Sequence, residues 1–438
     1  FIFSFFFLFV LRGNTQEVEI LTLEDCLRIG IDNNLSLEGK RKEIQKSKYG
    51  VSENRSKLLP QINAIAGYNN NFDPPVSVTD GSSYGVPYNI TKTLQHSANA
   101  GLEMQMPLFN QTLYTSMSIA KVMEEISRLS YGKAREDVIL QISKMYYLGQ
   151  VTAEQIMLIK ANIIRLEELR DITQAFFDNG MSMEVDLKRV NINLENLKVQ
   201  YDNAQAMMKQ QLNMLKYIMD YPAEKEIALT PVNTDSITTV ALTGLSENIY
   251  ELQLSQSQVQ LAERQKKIIT NGYIPSLSLT GSWRYAAYTD KGYHWFHSGP
   301  SNQWFRSYGV GLTLRIPIFD GLDKTYKIKK AMIDIENKRL AWEDARKNLQ
   351  TQYLNAVNDL MNNQRNFKKQ KDNYLLAEDV YAVTSDRYRE GIASMTEVLQ
   401  DEMQMSEAQN NYISAHYNYR VTNLMLLKLT GQIESLVK

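Results

Sequence analysis

Hydrophobic and polar residues alternate one by one in four stretches of the chain, which predicts β-strands with one apolar and one polar face. The predicted strands cover about residues 61–70, 97–107, 276–287 and 305–317. In the second of them, Leu102, Met104 and Met106 alternate with Glu103 and Gln105. Strands of about ten residues are long enough to cross a bilayer when they are tilted.

Two long stretches without proline follow these strands, and their apolar residues recur in steps of three and four positions. The stretches are residues 108–221 and 318–438. Each contains a turn in which an aromatic residue precedes a glycine by three positions, Phe177 to Gly180 and Tyr388 to Gly391. The spacing predicts coiled-coil helices over about residues 110–177, 183–219, 320–388 and 394–430. The longest would measure roughly 100 Å at about 1.5 Å per residue, so we expect these helices in an aqueous compartment.

The same order of elements occurs twice along the chain. Met106-Pro-Leu-Phe109 and Ile316-Pro-Ile-Phe319 each end an alternating stretch and open a long proline-free one. An internal repeat of this length determines the architecture. The repeats are predicted over residues 21–222 and 240–432, with a linker over residues 223–239.

The four predicted strands form two distant hairpins. Their loops are predicted at about residues 70–96 and 288–304, and the second is rich in aromatic residues that suit a membrane interface. These are Tyr293, Trp295, Phe296 and Trp304. A four-stranded sheet has two open edges, which lipid does not tolerate, and it cannot close around a filled interior. The sheet therefore packs in water, or several chains pool their strands into one barrel, in a number that the sequence leaves open.

Composition narrows the classes of function. The net charge of −1 gives no global field that favours nucleic acid. The single cysteine, Cys26, excludes an intrachain disulfide and is expected to be a small core residue. The apolar block Phe1–Leu11 has the length of a signal-peptide core, so residues 1–16 are expected to be a partial signal peptide.

No set of residues predicts catalysis. The sequence contains no phosphate-binding loop and no defensible nucleophile–base pair, so no catalytic residue, cofactor or metal ion is expected, and the protein is not predicted to be an enzyme. His294 and His297 have only Asp290 close by as a further ligand, which disfavours a metal site. His416 lies on a helix face, where we expect it to be solvated or hydrogen-bonded.

The doubled order of strand, Pro-x-Phe, long helix, aromatic-x-x-Gly turn, later acidic residue and second helix resembles the TolC-like outer-membrane efflux proteins. The segments Leu21–Leu27, Asp32–Asn34 and Tyr388–Leu399 also resemble that family, and the resemblance covers about residues 21–432. It implies a homotrimer with a long periplasmic coiled-coil barrel. The expected fold class is α with a membrane β-barrel, in which each chain adds four strands to a pooled, twelve-stranded barrel in a Gram-negative outer membrane.

The resemblance also implies a function. The chain would be the exit duct of a tripartite efflux or type I secretion system, which conducts substrates passively. It would dock to a periplasmic adaptor (membrane fusion) protein and an inner-membrane transporter, contact outer-membrane lipid and bind no nucleic acid. A soluble periplasmic coiled-coil adaptor or scaffold is the alternative if the strands are exposed to water.

The resemblance assigns a periplasmic gate to the helix turns. The family's gate residues correspond to Asp186, Tyr388 and Glu397. A phenol–carboxylate hydrogen bond would hold neighbouring coiled coils closed, and a ring of Glu397 would select cations. Acids that merely stabilise helix N-termini are the alternative interpretation. The family's basic latch residue is replaced by Ala393 and a second acid by Gln400, so only one acidic ring is expected.

The turns are also the expected adaptor-docking surface, because their residues are small and mildly apolar. The docking set is Gly180, Met181, Ser182, Gly391, Ile392, Ala393 and Ser394. A glycine can reverse the chain with a positive φ at little steric cost, and small neighbours would allow a helical hairpin of the adaptor to pack closely.

Overall fold

The computed structural model describes residues 18–80, 82–231, 244–290 and 303–437. The expected signal peptide, the aromatic residues 293, 295 and 296, the histidines 294 and 297, and residues 232–239 of the predicted linker lie outside this part. The chain divides into two compact units, and each combines residues of both predicted repeats. The first unit contains the described residues of 1–42, 128–255 and 342–438, and the second contains residues 43–127 and 256–341.

Helices dominate the described chain. The α-helices are α1 Leu23–Asn33, α2 Leu35–Ser56, α3 Gln111–Asp178, α4 Glu184–Met219, α5 Tyr250–Asn271, α6 Asp323–Arg389 and α7 Met395–Leu429. The strands are β1 Glu19–Leu21, β2 Gln61–Asn70, β3 Val76–Asp80, β4 Tyr88–Lys92, β5 His96–Phe109, β6 Ile227–Leu229, β7 Ser276–Thr289 and β8 Trp304–Arg315. Helices α3, α4, α6 and α7 lie where the three-four spacing predicts helices. None of the helices in the described ranges has an apolar stretch long enough to cross a membrane.

The second unit contains an antiparallel sheet of four strands in the order β2-β5-β7-β8. Its register aligns the apolar positions of all four strands on one face. Leu102 is paired with Ala64 on one side and Trp283 on the other, and Trp283 is paired with Tyr308. Strands β2 and β8 each have one edge without a partner within the described chain. The two predicted hairpins therefore form one open sheet.

The opposite face of this sheet is polar. Arg284 on β7 forms an ion pair with Glu103 on β5. Gly101 lies beside them, and a Cβ atom there would overlap the backbone carbonyl oxygen of Trp283. A glycine is therefore needed where strands β5 and β7 approach each other beneath the arginine.

Several short elements were not expected from the sequence. The loop prediction for residues 70–96 is wrong in part, because β3 and β4 pair there as a hairpin. The alternation of Val76 and Val78 with Ser77 and Thr79 was the available signal. Strand β6 lies in the predicted linker and pairs in parallel with β1. Neither strand was predicted, because three residues are too few to show a period.

The segment Leu21–Leu27, one of those that resemble the family, contains the N-terminus of α1 in the first unit. Thr22 caps α1: its Oγ1 accepts a hydrogen bond from the Asp25 backbone N–H at 3.1 Å, and Asp25 accepts from the Thr22 N–H at 3.2 Å. This reciprocal capping box satisfies two amide donors that the helix leaves free. Cys26 on α1 is fully buried among apolar side chains, as expected, and burial raises the pKa of its thiol to about 12.

Of the two alternatives expected for His416, solvation and hydrogen bonding, the structure shows hydrogen bonding, with the side chain completely buried between helices. The Arg420 Nε–H donates to His416 Nε2 at 3.1 Å, and His416 Nδ1 lies 3.4 Å from a carboxylate oxygen of Glu154. The Tyr412 hydroxyl donates to the other oxygen of Glu154 at 2.9 Å, and the ring of Phe367 packs on the imidazole. Helices α3, α6 and α7 are therefore joined by a polar cluster inside an aromatic shell.

Candidate functional site

The two helix turns of the first unit have the same backbone structure. Gly180 follows α3 with φ 72°, and Gly391 follows α6 with φ 75°. In the first turn, the N–H of Met181 donates to the Phe176 carbonyl at 2.8 Å, and in the second, the N–H of Ile392 donates to the Arg387 carbonyl at 2.8 Å. These bonds satisfy carbonyl groups at the helix ends, and the left-handed conformation they require favours glycine.

The helices that leave the turns begin differently. Ser394 caps α7: its backbone N–H donates to Glu397 Oε2 at 2.8 Å, and its hydroxyl accepts from the Glu397 N–H at 3.3 Å. At the equivalent position before α4, Met183 provides no side-chain cap. The hydrogen bonds from Ser394 hold the pKa of Glu397 below its usual range, so this exposed carboxylate is charged at neutral pH.

Loss of this cap is expected to weaken α7 without altering the turn. Ser394→Ala should lower the free energy of unfolding by about 1 kcal/mol, the usual cost of losing an N-cap side chain. The cap needs the ionised form of Glu397, and folding lowers the pKa of this carboxyl. The stabilisation by the cap is therefore fully present above the ordinary glutamate pKa, and it is lost as the pH falls through the lowered pKa of the folded state. Denaturant unfolding of the parent, Ser394→Ala and Ser182→Ala at neutral and acidic pH measures both effects. An equal change for Ser182→Ala, whose hydroxyl caps no helix, would contradict the assignment.

Asp186 lies in the first turn of α4, and only 16% of its side chain is exposed. Its carboxylate is 3.5 Å from Nη1 of Arg189, and the same nitrogen donates to Thr396 Oγ1 on α7 at 3.3 Å. Arg189 therefore links the tips of the two repeats. Arg189 was not among the residues predicted from the sequence, although its spacing of three residues from Asp186 on a helix was a usable signal.

Tyr388 is buried at the end of α6, with only 5% of its surface exposed. Its hydroxyl donates to Thr173 Oγ1 on α3 at 3.2 Å, and its ring packs on Phe176 with centroids 5.6 Å apart. Thr173 donates its own proton to the Leu169 carbonyl, so its oxygen is free to accept. In this chain the phenol thus bonds to a threonine rather than to Asp186. Burial raises the pKa of Tyr388, and the charge of Asp186 adds to this effect.

The docking residues predicted at the tips differ in exposure. Met181 and Ile392 are exposed by 69% and 62%, whereas Ala393 is half-buried and packs against the core below the turn. Met183, which was not in the predicted set, is exposed by 68%. Three large apolar side chains therefore point away from the core at the tips, while both turn glycines have open space around them.

Ion pairs join α3 and α6 behind the tips. Arg165 contacts Glu378 at 2.8 Å, and Arg389 contacts Glu168 at 3.4 Å. Such partly or largely exposed pairs contribute little stability individually, and they link the two long helices near the turns. In the described part of the chain, no cluster of three His, Cys, Asp or Glu side chains is arranged to hold a metal ion.

Comparison with solved structures places this fold among outer-membrane channels. The open-state structure of the Neisseria gonorrhoeae MtrE outer membrane channel matches with a TM-score of 0.74 at 19% identity, over 93% of this chain and 88% of that one. The CusC channel matches with a TM-score of 0.77 at 16% identity, over 93% and 91% of the two chains. Likeness at this identity concerns the fold alone.

The chain belongs to the Outer membrane efflux protein family, whose sequence profile matches residues 29–219 and 241–432. The outer membrane protein TolC of Vibrio cholerae is 21% identical over 399 residues, which cover 87% of this chain and 84% of the relative. The probable efflux pump outer membrane protein TtgC of Pseudomonas putida is 23% identical over 379 residues, with 82% and 75% covered.

Family membership confirms the resemblance and the expected fold class of long helices with a few strands per chain. It locates the chain in the outer membrane, and it sets aside the alternative of a soluble periplasmic adaptor. The family is one of efflux channels rather than enzymes.

Proposed function

We propose that the chain is the exit duct of a tripartite efflux or type I secretion system, through which substrates pass passively across the periplasm and outer membrane. The main support is the open sheet of the second unit, whose apolar positions lie in register on one face while β2 and β8 each keep one edge unpaired among the described residues. Lipid requires every backbone polar group to be paired, so such a sheet must be completed by other chains.

Three copies would complete it most simply. Pairing the free edge of β8 with the free edge of β2 in the next copy gives a closed, twelve-stranded barrel with an apolar exterior. Its polar interior would contain Glu103 and Arg284 from each copy. A barrel of this strand number is wider than one that side chains fill, so it leaves an aqueous passage.

The helix tips are the proposed docking surface for a periplasmic adaptor, which connects the duct to an inner-membrane transporter. Met181, Met183 and Ile392 give the tips an exposed apolar surface, and methionine adapts readily to partner surfaces. The glycines at 180 and 391 allow close approach of a helical hairpin.

The same tips are the proposed gate. Tyr388 joins the end of α6 to α3, and Arg189 joins Asp186 to α7, so both repeats are held together where the coiled coils turn. Adaptor contacts would open the gate only if they are stronger in the open state, because a partner that binds both states equally shifts nothing.

Ion conductance across a planar bilayer tests the proposed function. The purified protein is expected to form a water-filled pore with a preference for cations, because Glu397 is exposed and charged at the tip. A preparation that enters the bilayer but conducts no ions would overturn the proposal.

Glu397→Gln is expected to reduce the cation preference of that pore, measured as the reversal potential in a salt gradient. The exposed Glu407 on the same helix, which is outside the tip, provides the matched control Glu407→Gln. If both variants keep the parental selectivity, Glu397 is only a helix-capping acid.

A further inference from the structure

The apolar face of the four-stranded sheet contains one charged residue, Arg306 on β8. The register places it in a row with Tyr285, Ala100 and Ala66 of the other three strands. No other Asp, Glu, Lys or Arg occupies that face of the described sheet. An arginine on a lipid-facing surface is costly near the middle of a bilayer and nearly free of cost at its interfaces.

The guanidinium of Arg306 has no protein carboxylate as a counter-ion among the described residues. Its Cζ lies 5.9 Å from the ring centroid of Tyr308, which is a cation–π contact. The carboxylate of Glu103 lies on the other face of the sheet and pairs with Arg284. Closure of the sheet would not supply an acid either, because β2, the strand that would pair with β8 in a neighbouring copy, contains none.

Arg306 lies at one end of an apolar band. Tyr308, Val310, Leu312 and Leu314 follow it on the same face of β8. A tilted strand rises about 2.5 Å per residue along the membrane normal, so this band extends roughly 20 Å from the arginine, close to the height of the apolar belt of an outer-membrane barrel. Arg306 therefore falls at the level of lipid headgroups, at the end of β8 remote from α6.

Aromatic side chains mark the same level. Trp283 and Tyr285 of β7 contact each other edge to face, with centroids 5.4 Å apart, and Trp283 is 46% exposed on the apolar face. Tryptophan and tyrosine concentrate where hydrocarbon meets headgroups. A guanidinium at that depth presents a fork of N–H donors that matches phosphate oxygens.

We propose that Arg306, together with Tyr308, Trp283 and Tyr285, binds the phosphate group of an outer-leaflet lipid. The proposed ligand is a phosphorylated glycolipid of the lipid A type. The aromatic rings contact its apolar and sugar parts, and the guanidinium neutralises its phosphate. The inference depends on the proposed function, in which β8 crosses the outer membrane with α6 on the periplasmic side. Lipid binding at this site holds the pore at a fixed depth in the bilayer. It also offsets the cost of a charged residue on the outer surface of the barrel.

Native mass spectrometry of the detergent-purified complex with diphosphoryl lipid A tests this site. Arg306→Gln is expected to weaken lipid A binding about tenfold, the effect of losing one charge-assisted contact. Arg306→Lys should keep most of the affinity. Arg315→Gln is the matched control, since Arg315 is an exposed arginine of the same strand on the polar face. Dephosphorylated lipid A should bind the parent and Arg306→Gln equally weakly.

Two outcomes would overturn the inference. Equal affinity of the parent and Arg306→Gln for diphosphoryl lipid A would show that Arg306 is not the contact. Displacement of lipid A by inorganic phosphate at the same concentration would show a site for the free anion instead. Conductance of the same preparations separates the lipid site from the proposed exit duct. If Arg306→Gln binds lipid A like the parent and both conduct ions, only the lipid site is contradicted. If the parent does not enter a bilayer, both proposals are contradicted.

Discussion

Leu312→Arg is expected to remove most of the assembled protein from the outer membrane. Leu312 is 66% exposed on the apolar face of β8, six residues beyond Arg306, which places it about 15 Å deeper and near the bilayer midplane. An arginine there costs about 2–4 kcal/mol in each chain. A pooled barrel would contain the substitution in every copy, so the penalty multiplies with the number of chains.

The adjacent Thr313 provides the control, because it lies on the polar face opposite Ser278. Thr313→Arg should leave assembly nearly unchanged. The measurement is the amount of oligomer in the outer-membrane fraction for the parent and both variants. Equal loss for the two would mean that the apolar face of the sheet does not meet lipid.

The second large effect is expected at the gate. Tyr388→Phe combined with Asp186→Ala removes the hydroxyl that bonds to Thr173 and the carboxylate that faces Arg189. The hydrogen bond of Tyr388 is worth about 1 kcal/mol, which changes the ratio of open to closed states about fivefold. Loss of the long Asp186–Arg189 pair within α4 should add a smaller effect in the same direction. Single-channel recording in a planar bilayer measures the open fraction.

Tyr217→Phe is a suitable control for the double variant, because Tyr217 is 78% exposed and lies near the opposite end of α4. The control should conduct like the parent. An unchanged open fraction in Tyr388→Phe/Asp186→Ala would mean that these residues stabilise helix ends and take no part in gating.

The long elements of the fold were predictable because their periods persist over many residues. Alternation in β5, β7 and β8 and three-four spacing in α3 and α6 continue far longer than chance patterns do. The three-residue strands were missed because three residues do not define a period. The β3–β4 hairpin was missed although the alternation of Val76 and Val78 with Ser77 and Thr79 was a usable signal. The order of the strands in the sheet followed from no local signal, because it depends on pairing between β5 and β7, which are distant in the chain.

The candidate site was predictable in position but not in contacts. Glycine with an aromatic residue three positions earlier located both turns, and a positive φ occurs at each glycine. The partner of Tyr388 depends on which helix lies beside it, and Thr173 is distant in sequence, so the hydrogen bond could not be deduced from spacing. The burial of His416 was missed for the same reason, because three helices together remove it from water.

The mass of the detergent-extracted complex tests the central claim most directly. Among the described residues the sheet is open and has two unpaired edges, and a sheet in lipid needs other copies of the chain to complete it. Extraction of the outer-membrane fraction, followed by mass measurement in detergent, is expected to give a species of three copies of the 50.4 kDa chain, less any cleaved leader. A monomer recovered from the soluble fraction would contradict the account.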